Sequence, residues 1–247
     1  MRLTRVHVEG PLTGETRQTI RGTAANHISR VLRLRVGDSL TVFDGNGGEY
    51  DARIDEFSKE AVQVTVAEHR LIERESPMPI TLAQGISRGE RMDLVIQKAT
   101  ELGVARIVPL ITERCVVKLD AKQAEAKLRH WRAITIAACE QCGRNRLPEV
   151  EPVAKFHDYL RAAASTPTAT EHRLLLSPIG EARIRDLTAT STAVSVLIGP
   201  EGGLTEIEHE SALKSGFTAV RLGPRVLRTE TAALAALTAI QQHLGDL

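Results

Sequence analysis

The sequence predicts an α/β protein of two domains: a small N-terminal β-barrel, then an α/β domain on a mainly parallel sheet. Three observations predict it. Residues 1–70 hold short alternating or β-branched runs broken by Gly and Asp turns. From residue 79 strand-like and helix-like runs alternate, the order that builds a parallel sheet. Between them "RLIERESPMP", with two prolines, reads as a connection. The expected boundaries are 1–72, a linker over 73–78, and 79–247.

Bulk properties fit. A chain of 247 residues has room for one or two domains with a real core. Aromatics make up 3%, too few for a binder that stacks bases on a row of rings. No apolar run of about 18 residues predicts a membrane span, and "MRLTRVHVEG" lacks a signal-peptide core. Three cysteines do not make a disulfide framework and point to a reducing cytoplasm. The net charge of +1 hides asymmetry. Residues 1–35 carry seven arginines against two glutamates, and residues 84–150 carry twelve basic against eight acidic side chains. Local basic patches suit a nucleic-acid partner, and equally describe solvated faces.

In order, "RLTRVHV", "DSLTVFDG", "GEYDARIDEF" and "AVQVTVAEHR" read as strands, with "FDGNGGEY" a hairpin connection. Asp44-x-Asn46-x-Gly48 has a superficial calcium-loop look, but the glycine falls one place early and Asp55 stands where Glu is wanted. "TAANHISRVLRLRVGD" predicts one short helix displaying Arg30, Arg33 and Arg35. "PITLAQG" is a strand, and Ser87-Arg88-Gly89-Glu90 reads as a capping box. Met92, Val95, Ile96, Ala99 and Leu102 then recur at helical spacing up to Gly103. After the strand "VARIVPLI", Asp120 to Gln141 predicts a long helix with Leu128, Trp131, Ile134 and Ala138 inward. Cys139-x-x-Cys142 lies on that helix without a second Cys pair, so no metal site is expected. "HRLLLSP", "AVSVLIGP" and "TAVRLGP" follow an Ala/Thr-rich stretch and complete about five strands.

Those last three strands end alike, at Ser177-Pro178, Gly199-Pro200 and Gly223-Pro224. Ligands of open α/β sheets sit beyond the carboxyl ends of the strands. Glycine there permits close backbone approach, and proline holds a loop in shape. "GPEGGL" is neither a Walker loop nor G-x-G-x-x-G, and no phosphate-binding lysine follows it. A neutral or cationic ligand held by main-chain groups fits better, and an adenosyl sulfonium is one such ligand. Thr205 with Glu208 makes a second capping box. Thr229 reads as the N-cap of an Ala-rich helix, suited either to burial within one subunit or to close packing between two.

"IGPEGGLTEIE" and "LGPRVLRTETAAL", with "IQKATELGV" and "ACEQCGR", closely resemble the bacterial family that methylates N3 of a uridine in 16S ribosomal RNA, within the SPOUT superfamily. The resemblance covers essentially the whole chain. Its departures at Cys142, Leu204 and Val226 hardly bear on chemistry. It implies a PUA-like N-terminal barrel and a C-terminal domain with a deep trefoil knot, an exception to unthreaded folds. It also implies S-adenosylmethionine as cofactor, a homodimer through the C-terminal domain with the Ala-rich helix read as dimer packing, and the 30S subunit as substrate.

Carried onto this sequence, Arg228 takes the electrostatic role, since a guanidinium can fork toward a carbonyl edge. Glu201 or Glu230 takes the proton or offsets the sulfonium, each with the plain alternative of a carboxylate complementing a helix N-terminus. The cofactor-binding residues are Leu176, Ser177, Ile198, Gly199, Pro200, Glu201, Gly202, Gly203, Leu222, Gly223, Val226, Leu227, Arg228 and Thr231. Arg30, Arg33, Arg88, Arg91 and Arg144 are candidates for RNA phosphate. Methylation of another RNA uridine or ribose, a nucleotide-using α/β enzyme, and a non-catalytic RNA-binding module are the rivals.

Overall fold

The computed structural model describes residues 4–165, 171–188 and 192–247. Arg2 and Leu3 of the expected first strand, and parts of the Ala/Thr-rich stretch, lie outside them. The chain divides into two compact units, Met1–Glu75 with Ile136–Leu147, and Ser76–Thr135 with Pro148–Leu247. The run 136–147 thus counts with the first unit, whereas the sequence reading leaves it in the α/β domain.

In the first unit, β1 (Arg5–His7), β2 (Thr16–Arg21), β3 (Ser39–Phe43), β4 (Glu49–Phe57) and β5 (Ala61–Arg70) form one sheet in the order β1-β3-β4-β5-β2. β1 and β3 are parallel and the other pairs antiparallel. Val6, Ile20, Ile28, Val42, Ile54 and Val64 are almost fully buried and make its core. The expected hairpin joins β3 to β4, with Val42 opposite Tyr50. Asp44 serves the turn, its carboxylate accepting the Asn46 N–H at 3.0 Å and the Leu12 N–H at 3.4 Å. Among the described residues no group of three or more His, Cys, Asp or Glu is arranged to hold a metal ion. β2 escapes sequence reading because it is a sheet edge that buries only Ile20 among polar residues.

The expected Arg-rich helix is shorter than its pattern. α1 (Gly22–Asn26) runs into a wider π-type turn, His27–Val31, burying Ala25 and Ile28. Arg33 then adopts φ +53°, a left-handed conformation that no helix continues through. Arg30, Arg33 and Arg35 are all exposed.

The second unit holds β6 (Ile80–Gly85), α2 (Glu90–Glu101), β7 (Arg106–Ile111), the first part of α3 (Ala121–Cys142), β8 (Glu149–Val150), β9 (Ala154–Lys155) and α4 (Phe156–Ala164). β10 (Glu171–Leu176), β11 (Ala193–Ile198), α5 (Glu206–Lys214), β12 (Thr218–Val220) and α6 (Thr229–Leu244) follow. The sheet is parallel throughout, ordered β12-β10-β11-β6-β7-β8 with β9 also on β7. All five expected strands are present; β8 and β9 are two residues long, too short to leave a periodicity. Met92, Val95, Ile96 and Ala99 of α2 are buried as their spacing requires, and Trp131 and Ala138 of α3 likewise. Each such side chain contributes about 1.5–3 kcal/mol of burial when large and apolar. α6 turns Ala233, Ala236, Leu237 and Ile240 inward with no exposure. That face is consumed within the subunit.

Two local expectations change. The Ser87 capping box does not form: Gly89 is the N-cap of α2, at φ +55°, and the Ser87 hydroxyl is buried away from it. Thr229 is not the N-cap of α6 but its first residue, Arg228 standing before it. The Thr205–Glu208 capping box is fully formed.

Candidate active site

The three strands with matching ends, β12, β10 and β11, are neighbours in the sheet, so their carboxyl ends open side by side. The loops beyond them, with the first turns of α5 and α6, enclose a cavity of about 880 Å³. That lies within the range of about 300–1,000 Å³ usual for small-molecule sites. Of the sequence-derived cofactor residues, Leu176, Ser177, Ile198, Gly199, Pro200, Glu201, Gly203, Leu222, Gly223, Val226, Leu227 and Arg228 line it. Gly202 and Thr231 are not among the lining residues. Gly202 is pressed against Arg114, whose Cβ would be 3.1 Å from a Cβ built there. Thr231 is exposed on α6, and Thr229 faces the cavity in its place.

Glu201 Oε1 accepts the Arg88 backbone N–H at 2.9 Å and the Arg91 Nη1 at 2.9 Å. Burial pushes its carboxyl up, but these donors, its own backbone N–H and the Arg91 charge outweigh that and hold it below the ordinary carboxylate range. A carboxylate so engaged is a poor proton acceptor and a good anchor. It ties the glycine loop to the segment that leads into α2. Arg91 also stands 3.9 Å from Glu230, whose Oε2 is buried with no hydrogen-bond partner. Of the two glutamates, Glu230 is the one that keeps a carboxylate oxygen without a hydrogen bond.

The rest of the loop is held from within. The Gly203 N–H donates to the Pro200 carbonyl at 2.8 Å. Arg114 Nη1 donates to the carbonyls of Gly202 at 3.2 Å and Leu204 at 3.3 Å. The Glu208 carboxylate accepts the Thr205 N–H at 3.0 Å and the Glu113 N–H at 2.8 Å. The Pro200, Gly202 and Leu204 carbonyls thus help to hold the loop in shape.

The cavity walls are mixed. Leu176, Ile198, Val220, Leu222 and Leu227 give an apolar lining, and Arg91, Arg114, Arg221, Arg225 and Arg228 bring guanidinium groups. His209 and Ser177 face it as a pair, Nε2 to Oγ 3.1 Å. Sequence reasoning missed Arg114, His209, Arg221 and Arg225; only Arg225, inside "LGPRVLR", carried a local signal. An apolar slot with adjacent carboxylates and hydroxyls fits an adenosyl sulfonium compound, and the arginines fit an anionic second substrate.

The other arginine candidates divide. Arg30, Arg33 and Arg88 are exposed, and Arg91 lines the cavity. Arg144 is a correction: it is buried in the first unit, its Nε 3.0 Å from Glu75 Oε2, and is not free to meet phosphate. Beside it Asn145 accepts from Arg5 at 2.6 Å and donates to the Ile72 carbonyl at 2.6 Å, while Arg5 pairs with buried Glu49. The "CGRN" run reads as basic and exposed from its composition, and folds inward because partners of opposite charge wait there.

The model of an RNA methyltransferase domain matches residues 74–241, and that of an RNA methyltransferase PUA domain matches residues 20–67. The chain is 36% identical to ribosomal RNA small subunit methyltransferase E of Buchnera aphidicola subsp. Schizaphis graminum, over 90% of this chain and 89% of that one. It is 35% identical to the protein of the same name from Bacillus subtilis, over 90% and 88%. Among solved structures, a putative methyltransferase from Legionella pneumophila with bound cofactor SAM superposes with a TM-score of 0.94 at 41% identity, covering 100% of both chains. The small subunit methyltransferase E of Neisseria gonorrhoeae, bound to S-adenosyl methionine, gives 0.90 at 38% identity over 99% of each. With both domain models matched in order, and relatives of one name aligned over nearly its full length, the chain belongs to the bacterial ribosomal RNA small subunit methyltransferase E family.

Proposed function

We propose that this protein methylates N3 of a specific uridine in 16S ribosomal RNA, using S-adenosylmethionine and acting on the assembled 30S subunit. The observation that carries the reading is the cavity at three adjacent strand ends, lined by apolar side chains together with Arg228, Glu201 and Glu230. The solved relatives named above bind S-adenosylmethionine, and the cavity residues suit that molecule.

When bound, S-adenosylmethionine supplies a methyl group on a positively charged sulfur that is already an excellent leaving group. The chain has three remaining tasks: orienting the uracil edge, receiving the N3 proton, and offsetting charge on O2 or O4. Arg228, exposed at the start of α6 and lining the cavity, takes the electrostatic task. Glu230 takes the proton, because Glu201 is committed to Arg88 and Arg91. The apolar slot of Leu176, Ile198, Leu222, Val226 and Leu227 holds the flat base of the donor.

The finer architecture belongs to the same reading. The chain after β10, β11 and β12 threads as a deep trefoil knot of the SPOUT type, and the sheet of residues 1–72 closes as a PUA-like barrel that meets RNA through Arg30 and Arg33. Residues 73–78 link it to the methyltransferase domain of 79–247. Two copies pair through the C-terminal domain, and the protein works in the cytoplasm, where its substrate is. The parallel order β12-β10-β11-β6 brings the three loops of the proposed knot side by side.

Mass spectrometry of 16S rRNA from cells lacking the protein tests the reading: one methyluridine is expected to disappear and to return with the wild-type gene. Arg228→Ala is expected to abolish its return while S-adenosylmethionine affinity stays within about tenfold. Full methylation by that variant removes Arg228 from the mechanism.

A further inference from the structure

The end of β6 carries a polar side chain that no ligand reading uses. Gln84 is fully buried, does not line the cavity, and stands directly behind its wall. Its Nε2 faces three oxygens: the Gly85 carbonyl at 3.0 Å, Thr229 Oγ1 at 2.9 Å, and the Gly199 carbonyl at 3.4 Å. Two of these are carbonyls, which only accept, so the amide nitrogen and not its oxygen must point at them. Thr229 Oγ1 therefore receives a hydrogen from Gln84, and its own single hydrogen goes to the Gly199 carbonyl, at 2.7 Å. The direction of the chain Gln84→Thr229→Gly199 is thus fixed.

The packing around it leaves no slack. A Cβ on Gly85 would stand 2.5 Å from the Pro200 nitrogen and 2.9 Å from the Gly199 carbonyl carbon, so the end of β6 lies flat against the start of the glycine loop. Thr229 is 7% exposed and directly follows Arg228. One hydroxyl consequently joins the first residue of one cavity wall to the residue beside the proposed catalytic guanidinium on the other.

We propose that Gln84 and Thr229 are positioning residues that lock the Gly199 loop to the start of α6 and so set the spacing of the two walls that hold the methyl donor. This rests on the methyl-donor reading above. Neither residue needs to touch the reacting atoms: Gln84 acts through Thr229, and Thr229 through Gly199 and Arg228. A role in core filling alone would ask only for volume, which valine supplies at Thr229 almost without change. A role in positioning asks for the hydroxyl.

The test uses the full chain as Thr229→Val, Thr229→Ser and Gln84→Met. S-adenosylmethionine binding is followed by calorimetry, thermal unfolding on the same samples, and kcat against KM on 30S subunits. Thr229→Val is expected to weaken donor binding about tenfold or more, the effect of a lost buried hydrogen bond with a stranded partner. Thr229→Ser, which keeps the hydroxyl, is expected to bind within about threefold of wild type, and Gln84→Met to raise KM for the donor more than it lowers kcat. Should Thr229→Val not fold, the serine and methionine variants decide by the same comparison. Wild-type donor affinity in the valine or methionine variant, or equal impairment of serine and valine variants, overturns the proposal alone. A wild-type protein that binds no S-adenosylmethionine overturns the methyl-donor reading and the proposal with it.

Discussion

Glu49 and Glu201 both keep their charge because neighbouring donors outweigh burial, yet only Glu201 faces the cavity. For Glu49, burial pushes the carboxyl up, while hydrogen bonds and charge from Arg5, with Asn145 and Arg74, bring it below the ordinary value of 4.5. A carboxyl depressed in the folded state adds stability that is fully present above its unfolded value. That stability is lost as pH falls through the lower, folded value. Glu49→Gln should therefore destabilise the protein at neutral pH by about 3–5 kcal/mol, since it strands Arg5 in a buried site. The gap to wild type should narrow as pH drops below about 4.5, where the wild type loses its own advantage. Denaturant unfolding of both proteins from pH 7 to pH 3 checks this, and a gap that widens toward acid would rule out Glu49 as the charged partner. None of this could be read from sequence: Arg5, Glu49 and Asn145 are far apart in the chain, and nothing local pairs them.

At the scale of single elements, what the sequence disclosed and what it hid follow one rule. Features fixed by near neighbours were legible. The helical spacing of α2, the five longer strands and the Thr205–Glu208 box all depend on residues within a few positions of each other, and all are present. Features decided by distant partners were not. The Ser87 box gives way to Gly89 as the N-cap of α2, and the Arg88 amide before it goes to Glu201, 113 positions on. Thr229 moved one place into α6, where its hydroxyl binds the Gly199 carbonyl instead of capping its own helix. The same distinction ranks two substitutions on α5. Thr205→Ala removes one local cap and should cost about 1 kcal/mol. Glu208→Ala should cost more, about 2–4 kcal/mol, because the buried carboxylate serves both the Thr205 and Glu113 amides and both would be stranded. Urea unfolding of the two variants gives the order, and a larger loss in Thr205→Ala would contradict it.

Over the whole molecule, formal charge is a poor guide to where RNA phosphate can be met, and burial makes it a better one. The seven arginines of residues 1–35 include Arg5, which is buried against Glu49. Arg144, in the second basic region, is likewise enclosed with Glu75. Arg17 is exposed but stands 3.6 Å from Asp55. Around α1, Arg21, Arg30, Arg33 and Arg35 are all exposed, and of these Arg30 and Arg33 are the two expected to meet phosphate, Arg33 on a left-handed backbone. Each phosphate contact releases counterions, so the logarithm of affinity falls with the logarithm of salt by a little under one unit of slope per contact. Reversing both charges, Arg30→Glu with Arg33→Glu, should weaken binding to 30S subunits and flatten that slope by about one to two units. S-adenosylmethionine binding should be unchanged, because neither arginine belongs to the unit that contains the cavity. Affinity measured across a salt series separates a phosphate contact from a general loss of fold, which would alter donor binding as well. A slope equal to that of wild type would take both arginines out of the RNA interface.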